Sequence, residues 1–371
     1  MSALVLAVFA ITMPSAIPDA STFVTAVGVF VGAMLAWRLA FYRFAHDPRL
    51  EERILILGAG RSARRLVREI RNRQDYAYRV VGFVEDADRH GVARSPDVLG
   101  DASEIGRLVI DHHVDRIVVS LSDRRGHLPI EDLLRAKLAG VRVEDASTTY
   151  ERLTGKILLD DLKPSSLVFS DGFRASRLTR TVKRLLDLVL AAAGLVVTAP
   201  LMLLTALAIR LESPGAVLYT QDRVGESGLV FTLYKFRSMC PDAEHGTPVW
   251  AGQNDRRVTR VGRYIRRARL DELPQLWNVL RGDMSFVGPR PERPYFVERL
   301  AAAVPYYVER HSVKPGVTGW AQVKYRYGSS VEDAIEKLRY DLYYIKHQSI
   351  VFDLTIALDT VKVILSGKGA Q

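Results

Sequence analysis

A single cysteine, Cys240, is all the thiol that 371 residues contain. An intrachain disulfide framework is therefore excluded, and a reducing compartment fits. The 8 histidines and that cysteine show no zinc-ligand spacing, and the pair His112-His113 reads as surface. Negative charge is scarce: 42 Asp and Glu stand against 52 Lys and Arg, a net charge of +10 and a pI of about 9.6. Such a balance calls for an acidic partner. Apolar runs beside the basic ones favour lipid and phosphate, so no nucleic-acid partner is expected.

Charge is missing altogether from three stretches, Met1–Pro18, Ala20–Trp37 and Leu188–Ile209. A membrane-spanning helix needs about 20 apolar residues. The first two runs, separated by Asp19 and preceded by no Lys or Arg, read as a transmembrane helical hairpin over 1–45 rather than a signal peptide. Arg38, Arg43 and Arg49 follow, so the next domain is expected to face the cytoplasm. The third run is flanked by Lys183 and Arg184 at one end and Arg210 at the other, and Thr198-Ala199-Pro200 lies in its middle. Positive flanks at both ends and a central proline point to a re-entrant helix over 183–211, turning at Pro200. An ordinary spanning helix with a tolerated proline is the alternative.

Residues 50–147 alternate strand and helix. Apolar strands are expected at Ile54–Gly60, Tyr78–Asp86, Asp115–Leu121 and Val141–Asp145, with helices at Ser62–Arg73, Ala102–His112 and Glu131–Gly140. That alternation implies a doubly wound, Rossmann-like parallel sheet. Gly58, Gly60 and Ala63 match the dinucleotide-binding fingerprint, and Glu85 or Asp86 ends the second strand where such folds hold a ribose. A tight strand–helix turn selects the same glycines without any ligand. Residues 148–179 read as a polar linker with a short helix near Thr149–Thr154.

The densest stretch is Arg266–Glu292, RRARLDELPQLWNVLRGDMSFVGPRPE. Asp271 and Glu272 are adjacent, so on a helix they point about 100° apart and cannot do one job from one direction. Arg266, Arg267 and Arg269 precede them; Asp283 and Gly288-Pro289-Arg290-Pro291 follow. Two acids in a cationic field suit chemistry on a phosphate with a divalent metal, and equally a helix N-terminus with acids in its first turn. Arg256, Arg260, Arg263 and Arg267 fall at helical spacing as a face for anionic headgroups. Helices are expected at Glu332–His347 and, apolar and interfacial, at Ser349–Gly367. The tyrosines at 306, 307, 325, 327, 340, 343 and 344, with Trp320, form either an aromatic belt or core.

From about Thr181 onward the chain resembles the bacterial sugar transferases, the monotopic phosphoglycosyl transferases. The resemblance is carried by VKRLLDLVLAAAG, Glu212–Gly225, Tyr234–Met239, the stretch around Asp271 and His311–Val323. The whole chain is similar to the large polyprenyl glycosylphosphotransferases of exopolysaccharide loci, including those associated with PEP-CTERM systems. These commonly carry four or more N-terminal helices, whereas this chain has room for two, as in a short form or an internal start. The implied architecture is an α/β membrane protein: N-terminal transmembrane helices, the Rossmann-like domain, and an α-rich catalytic domain over 180–371 containing the re-entrant helix.

The resemblance implies transfer of a phosphosugar from a UDP-sugar to polyprenyl phosphate with release of UMP, at the bacterial inner membrane with the catalytic domain facing the cytoplasm. A homo-oligomer is compatible with it. It implies Asp271 as nucleophile forming a phosphosugar-aspartyl intermediate, and Glu272 as its partner, the two also holding Mg²⁺. Arg266 and Arg290 become phosphate clamps, and Lys235 and Arg237 further phosphate contacts. Asp283 is a polar support or a structural residue. One of the Pro289 and Pro291 peptide bonds is a candidate for cis. The competing readings are a non-catalytic membrane scaffold or nucleotide sensor, and an NAD-dependent enzyme. The latter lacks a Tyr-x-x-x-Lys pair after the sheet.

Overall fold

The structure, a computed structural model, describes residues 20–45, 51–72, 78–85, 97–121, 128–159, 172–173, 175–240, 255–325, 328 and 330–365. The chain divides into two units, Met1–Thr149 and Tyr150–Gln371.

In the first unit, the run Met1–Pro18 lies outside the described residues. The second run forms α1 (Ala20–Ala45), whose side chains from Val29 to Leu39 are largely exposed. The sheet comprises β1 (Glu52–Leu57), β2 (Tyr78–Glu85), β3 (Val98–Asp101), β4 (Arg116–Val119) and β5 (Arg142–Asp145), ordered β3-β2-β1-β4-β5 and wholly parallel. This is a Rossmann-like half-sheet. Ile54–Leu57 are at most 1% exposed because both faces of a parallel sheet are covered. Helix α2 (Arg61–Asn72) buries Ala63, Leu66, Val67 and Ile70, the i, i+3, i+4, i+7 stripe of an amphipathic helix. Strand β3 was not expected from the sequence: it is four residues long and contains Gly100, so it shows no apolar alternation. The helix expected over Ala102–His112 is a 3₁₀ turn, capped by an Asp101–Glu104 box, followed by α3 (Ile105–Asp111). Helix α4 spans Ile130–Leu138, and the unit boundary falls inside α5 (Ala146–Thr154).

In the second unit, the first part of the expected linker is no tether. Ile157 is 1% exposed in the unit's main core, Lys346 pairs with Glu151 at 2.7 Å, and Trp320 Nε1 donates to the Gly155 carbonyl. The 36 residues of α6 (Arg177–Glu212) form the one described helix long and apolar enough to cross a membrane. At ~1.5 Å per residue they extend about 54 Å. The expected interruption at Pro200 is not seen: the helix runs through it. One proline removes a single amide donor. The Thr198 and Thr205 hydroxyls back-bond to the Gly194 and Leu201 carbonyls on either side, which bends helices without ending them.

The rest of this unit is built of small pieces. A hairpin pairs β6 (Leu218–Val224) with β7 (Val230–Phe236), and β8 (Ser285–Val287) runs parallel to β9 (Gly316–Thr318). The helices are α7 (Arg260–Arg267), α8 (Gln275–Arg281), α9 (Pro294–Ala303), α10 (Trp320–Lys324), α11 (Val331–Lys346) and α12 (Ile350–Leu365). Thr259 caps α7 by accepting from Gly262 N, so Arg256 lies outside the helix and does not share the face of Arg260, Arg263 and Arg267. Tyr307, Tyr340 and Tyr344 are at most 7% exposed and are core rather than belt; Tyr327 lies outside the described residues.

Candidate active site

Asp271 and Glu272 sit in a single 3₁₀ turn, Leu270–Glu272, between α7 and α8. The residue that opens it, Arg269, is left-handed (φ 58°), a costly conformation for a residue with a Cβ. Pro274 then starts α8. The turn faces the two acids into different surroundings. Glu272 Oε1 accepts from Arg290 Nη2 at 2.6 Å and Lys235 Nζ at 3.2 Å, while Arg269 Nη1 lies 3.7 Å from Oε2. Asp271 is 9% exposed, and among the described residues its carboxylate has no hydrogen bond or ion pair.

Their acidities diverge accordingly. Burial pushes the Asp271 carboxyl up, and the Glu272 charge beside it adds to that; Lys235, Arg290 and Arg266 oppose without cancelling it. Burial acts on Glu272 in the same sense, but Arg290, Lys235 and Arg269 outweigh it and hold this carboxyl well below the usual range. One acid is a charge locked into a cationic clamp. The other is buried, has no charge partner in contact among the described residues, and holds its proton more tightly than an exposed aspartate.

Long-range contacts bring the parts together. Lys235 arrives on β7, which is stapled to α8 by Asn278: its Oδ1 accepts from Tyr234 N at 3.1 Å and its Nδ2 donates to Thr232 O at 2.8 Å. Asn278 is 0% exposed and was missed in the sequence, where it looks like any helix-face amide. Asp283 accepts from Asn278 Nδ2 and pairs with Arg281 at 3.4 Å, a support for that staple. Arg290 comes from the loop after β8. Backbone meets backbone there: a Cβ on Gly288 would lie 2.3 Å from the Lys314 carbonyl. No described peptide bond is cis, so the cis expectation at Pro289 or Pro291 does not hold; trans prolines fit because φ alone is what they fix.

Arg266 ends α7 half-buried, close enough to act electrostatically on both Asp271 and Asp255. Arg237 is not brought to the dyad. Its guanidinium donates to the Ser213 and Pro214 carbonyls at 2.8 and 2.9 Å and to Ser213 Oγ, fastening the strand to the end of α6.

Helix α6 is held along its length by the unit that carries the dyad. At its start Lys183 pairs with Asp353 at 2.6 Å, and Arg184 donates to the Val279 and Leu280 carbonyls. Asp187 accepts from Ser285 Oγ and Phe286 N. Ala191 is 0% exposed, and Gly194 lets Leu276 of α8 approach. At its end Glu212 accepts from Arg260 N and Val261 N. Leu186, Val189, Leu190, Val197, Leu203, Leu204 and Leu207 face outward, exposed by 40–78%.

In the first unit, Gly58 has φ 100° and donates to the Val84 carbonyl; a Cβ there would lie 2.9 Å from Ser120 O. Gly60 accepts from Arg64 N, and Ala63 is 0% exposed in α2. The strand–helix turn alone accounts for all three. Asp86 lies outside the described residues.

The bacterial sugar transferase model matches residues 178–367, and a CoA-binding domain model matches residues 2–134. The UDP-N-acetylgalactosamine-undecaprenyl-phosphate N-acetylgalactosaminephosphotransferase of Aeromonas hydrophila is 43% identical over 239 residues, 64% of this chain and 56% of that protein. The undecaprenyl-phosphate glucose phosphotransferase of Komagataeibacter xylinus is 35% identical over 330 residues, 85% of this chain and 60% of that protein. A putative undecaprenyl-phosphate N-acetylgalactosaminyl 1-phosphate transferase of Bacillus subtilis (strain 168) is 51% identical over 129 residues, 35% of this chain and 72% of that protein. The chain thus spans little more than half the length of the first two relatives.

Proposed function

The chain belongs to the bacterial sugar transferase family, and from that premise we propose that it moves a phosphosugar from a UDP-sugar to polyprenyl phosphate, releasing UMP. The observation that carries the mechanism is the asymmetry of the dyad. Glu272 is held by three cations, whereas Asp271 has no ion-pair or hydrogen-bond partner among the described residues and is the carboxylate available to attack.

An Asp271 oxygen forms a bond to the sugar-bearing phosphorus, and the bond from that phosphorus to the UMP oxygen breaks. An oxygen of the lipid phosphate then attacks the phosphosugar-aspartyl phosphorus and frees Asp271. The barrier is lowered mainly by neutralising charge on the phosphoryl oxygens. Arg290 and Lys235, already converging on Glu272, supply that charge at a preset place, and Arg266 adds to the field. Glu272 keeps both cations oriented between turnovers.

Asp271 and Glu272 would hold Mg²⁺ with only two carboxylates, so the donor's phosphates would have to complete its ligands. Asp271 and Glu272 offer carboxylate oxygens, but no third acid, histidine or cysteine joins them among the described residues. When bound, the ion would neutralise the diphosphate of the leaving nucleotide.

The same unit grips both ends of α6, which favours a helix whose two ends stay on one side of the bilayer while its outward leucines and valines meet lipid. A cytoplasmic-membrane location follows, with the dyad at headgroup depth where the lipid phosphate sits and a water-soluble nucleotide-sugar can reach it. The test is UMP release from UDP-sugars plus undecaprenyl phosphate in membrane fractions. Asp271→Asn should lower it by about 10³-fold or more, and EDTA should stop it until Mg²⁺ is restored. An active Asp271→Asn enzyme would remove the nucleophile from this scheme.

A further inference from the structure

The loop that presents Arg290 is gripped by its carbonyls. Gly316 N donates to Pro289 O at 2.9 Å, and Val224 N donates to Glu292 O at 2.9 Å. Between them, Arg310 Nη2 donates to Arg290 O at 3.0 Å and Arg223 Nη1 to Pro291 O at 3.0 Å. Prolines on both sides of Arg290 have no N–H, so the loop can be tethered here almost solely through its carbonyls. The two middle carbonyls are met by guanidinium groups.

Neither guanidinium is an ordinary surface charge. Arg310 is 7% exposed; its Nε and Nη2 donate to Asp341 Oδ2 at 3.1 and 2.7 Å, and its Nη1 donates to Tyr307 Oη at 2.8 Å. Asp341, on α11, is 1% exposed. Burial works against the Arg310 charge, but Tyr307, Asp341 and Glu292 outweigh it and keep its pKa above the usual value. Arg223, on β6, also donates to Glu292 Oε1 at 3.0 Å and Gln221 Oε1 at 2.5 Å. A buried ion pair is a poor route to stability, since apolar residues of the same volume often do as well or better. Its place against the backbone of Arg290 points to another role.

We infer that Arg310, anchored by Asp341, together with Arg223, positions Arg290 for phosphosugar transfer. By fixing the main chain at Arg290 and at the residue after it, they aim the Arg290 guanidinium at Glu272 and at the phosphate that reacts. The inference rests on the transferase reading of the site. Misplacing a clamp by about 1 Å can cost on the order of 10²-fold in rate, so the effect should be visible in turnover.

The experiment uses the full chain in lipid nanodiscs and a double-mutant cycle with Arg290→Ala. Arg310→Met should lower kcat by about 10- to 100-fold with KM for the UDP-sugar changed less than about threefold. In the Arg290→Ala background the same substitution should cost less than about threefold, because the residue it positions is gone. Equal losses in both backgrounds would overturn the inference, since general damage adds and positioning does not. If Arg310→Met does not fold, judged by thermal unfolding, the cycle is run with Arg310→Lys and Arg223→Gln, each of which keeps a donor but cannot span both partners. Amide exchange at Val224 and Gly316 is followed alongside. Faster exchange in the Arg310 variant supports the role, and unchanged exchange overturns it. A wild-type chain that releases no UMP from any UDP-sugar defeats the transferase reading, and the exchange result then decides the positioning by itself.

Discussion

The turn at Gly58–Gly60 and the loop at Gly288–Pro291 each place a glycine where a Cβ would strike a carbonyl, 2.9 Å from Ser120 O in one and 2.3 Å from Lys314 O in the other. They are held in different ways. The first is an arch between one strand and the next helix, closed by main-chain hydrogen bonds to neighbouring strands. The second is suspended between β6, β9, α11 and the segment around Arg310, with side chains supplying the central donors. A turn built from its own backbone is a fold device that any parallel sheet can use. A loop held by buried charge from distant elements is a device for aiming one side chain.

The sharpest way to break that contrast is inside the second unit, between two basic residues two positions apart. Lys235 reaches Glu272 whereas Arg237 is spent on Ser213 and Pro214. Lys235→Met should lower kcat by about 10- to 100-fold with little change in melting temperature. Arg237→Met should instead cost about 1–3 kcal/mol of stability, because it removes the guanidinium's part-buried hydrogen bonds to Ser213 and Pro214, and should leave turnover per folded molecule near wild type. Activity assays paired with thermal unfolding separate the two. An Arg237 variant that is stable but inactive would return that residue to the phosphate site.

A smaller effect should appear in the pH profile. Asp271 must be ionised to attack, and burial followed by the Glu272 charge raises its pKa. Acidification should therefore slow the UMP burst beginning at a higher pH than an exposed aspartate would allow, by about tenfold per unit below the pKa. Glu272, held well below its ordinary value, stays charged through that window. In Glu272→Gln the repulsion disappears and Arg290 and Lys235 lose their counter-charge, so the acid limb should move to lower pH. A limb that stays put or moves up would show that Asp271 is not the titrating group.

What was legible in the sequence follows the same division. The strand that leads into Gly58, the amphipathic stripe of α2 and the adjacency of Asp271 and Glu272 are local patterns and could be read directly. Strand β3 could not, because four residues with a glycine acquire strand character only by pairing with β2. Asn278, Arg310 and Asp341 carry no local mark; their roles come from Tyr234, Arg290 and each other, far away in the chain. Arg237 was misassigned for the same reason, since basic character tells what a residue can hold but not which carbonyl it meets. Pro200 was read as a break because the cost of a proline is local, whereas the grip on α6 at Lys183 and Glu212 is not.

The smallest effect on catalysis is expected at Gly58. With φ at 100° and a carbonyl 2.9 Å from the missing Cβ, Gly58→Ala must strain the turn. The cost should be about 1–3 kcal/mol, read as a lower melting temperature of the sheet unit. If that turn is only a fold device, UMP release per folded molecule should be indistinguishable from wild type, since nothing in the chemistry at Asp271 draws on it. A fall in turnover as large as that of Lys235→Met, at a temperature where the sheet unit is still folded, would mean that the first unit acts on the reaction. The contrast between a turn that shapes the fold and a loop that aims a catalytic arginine would then have to be given up.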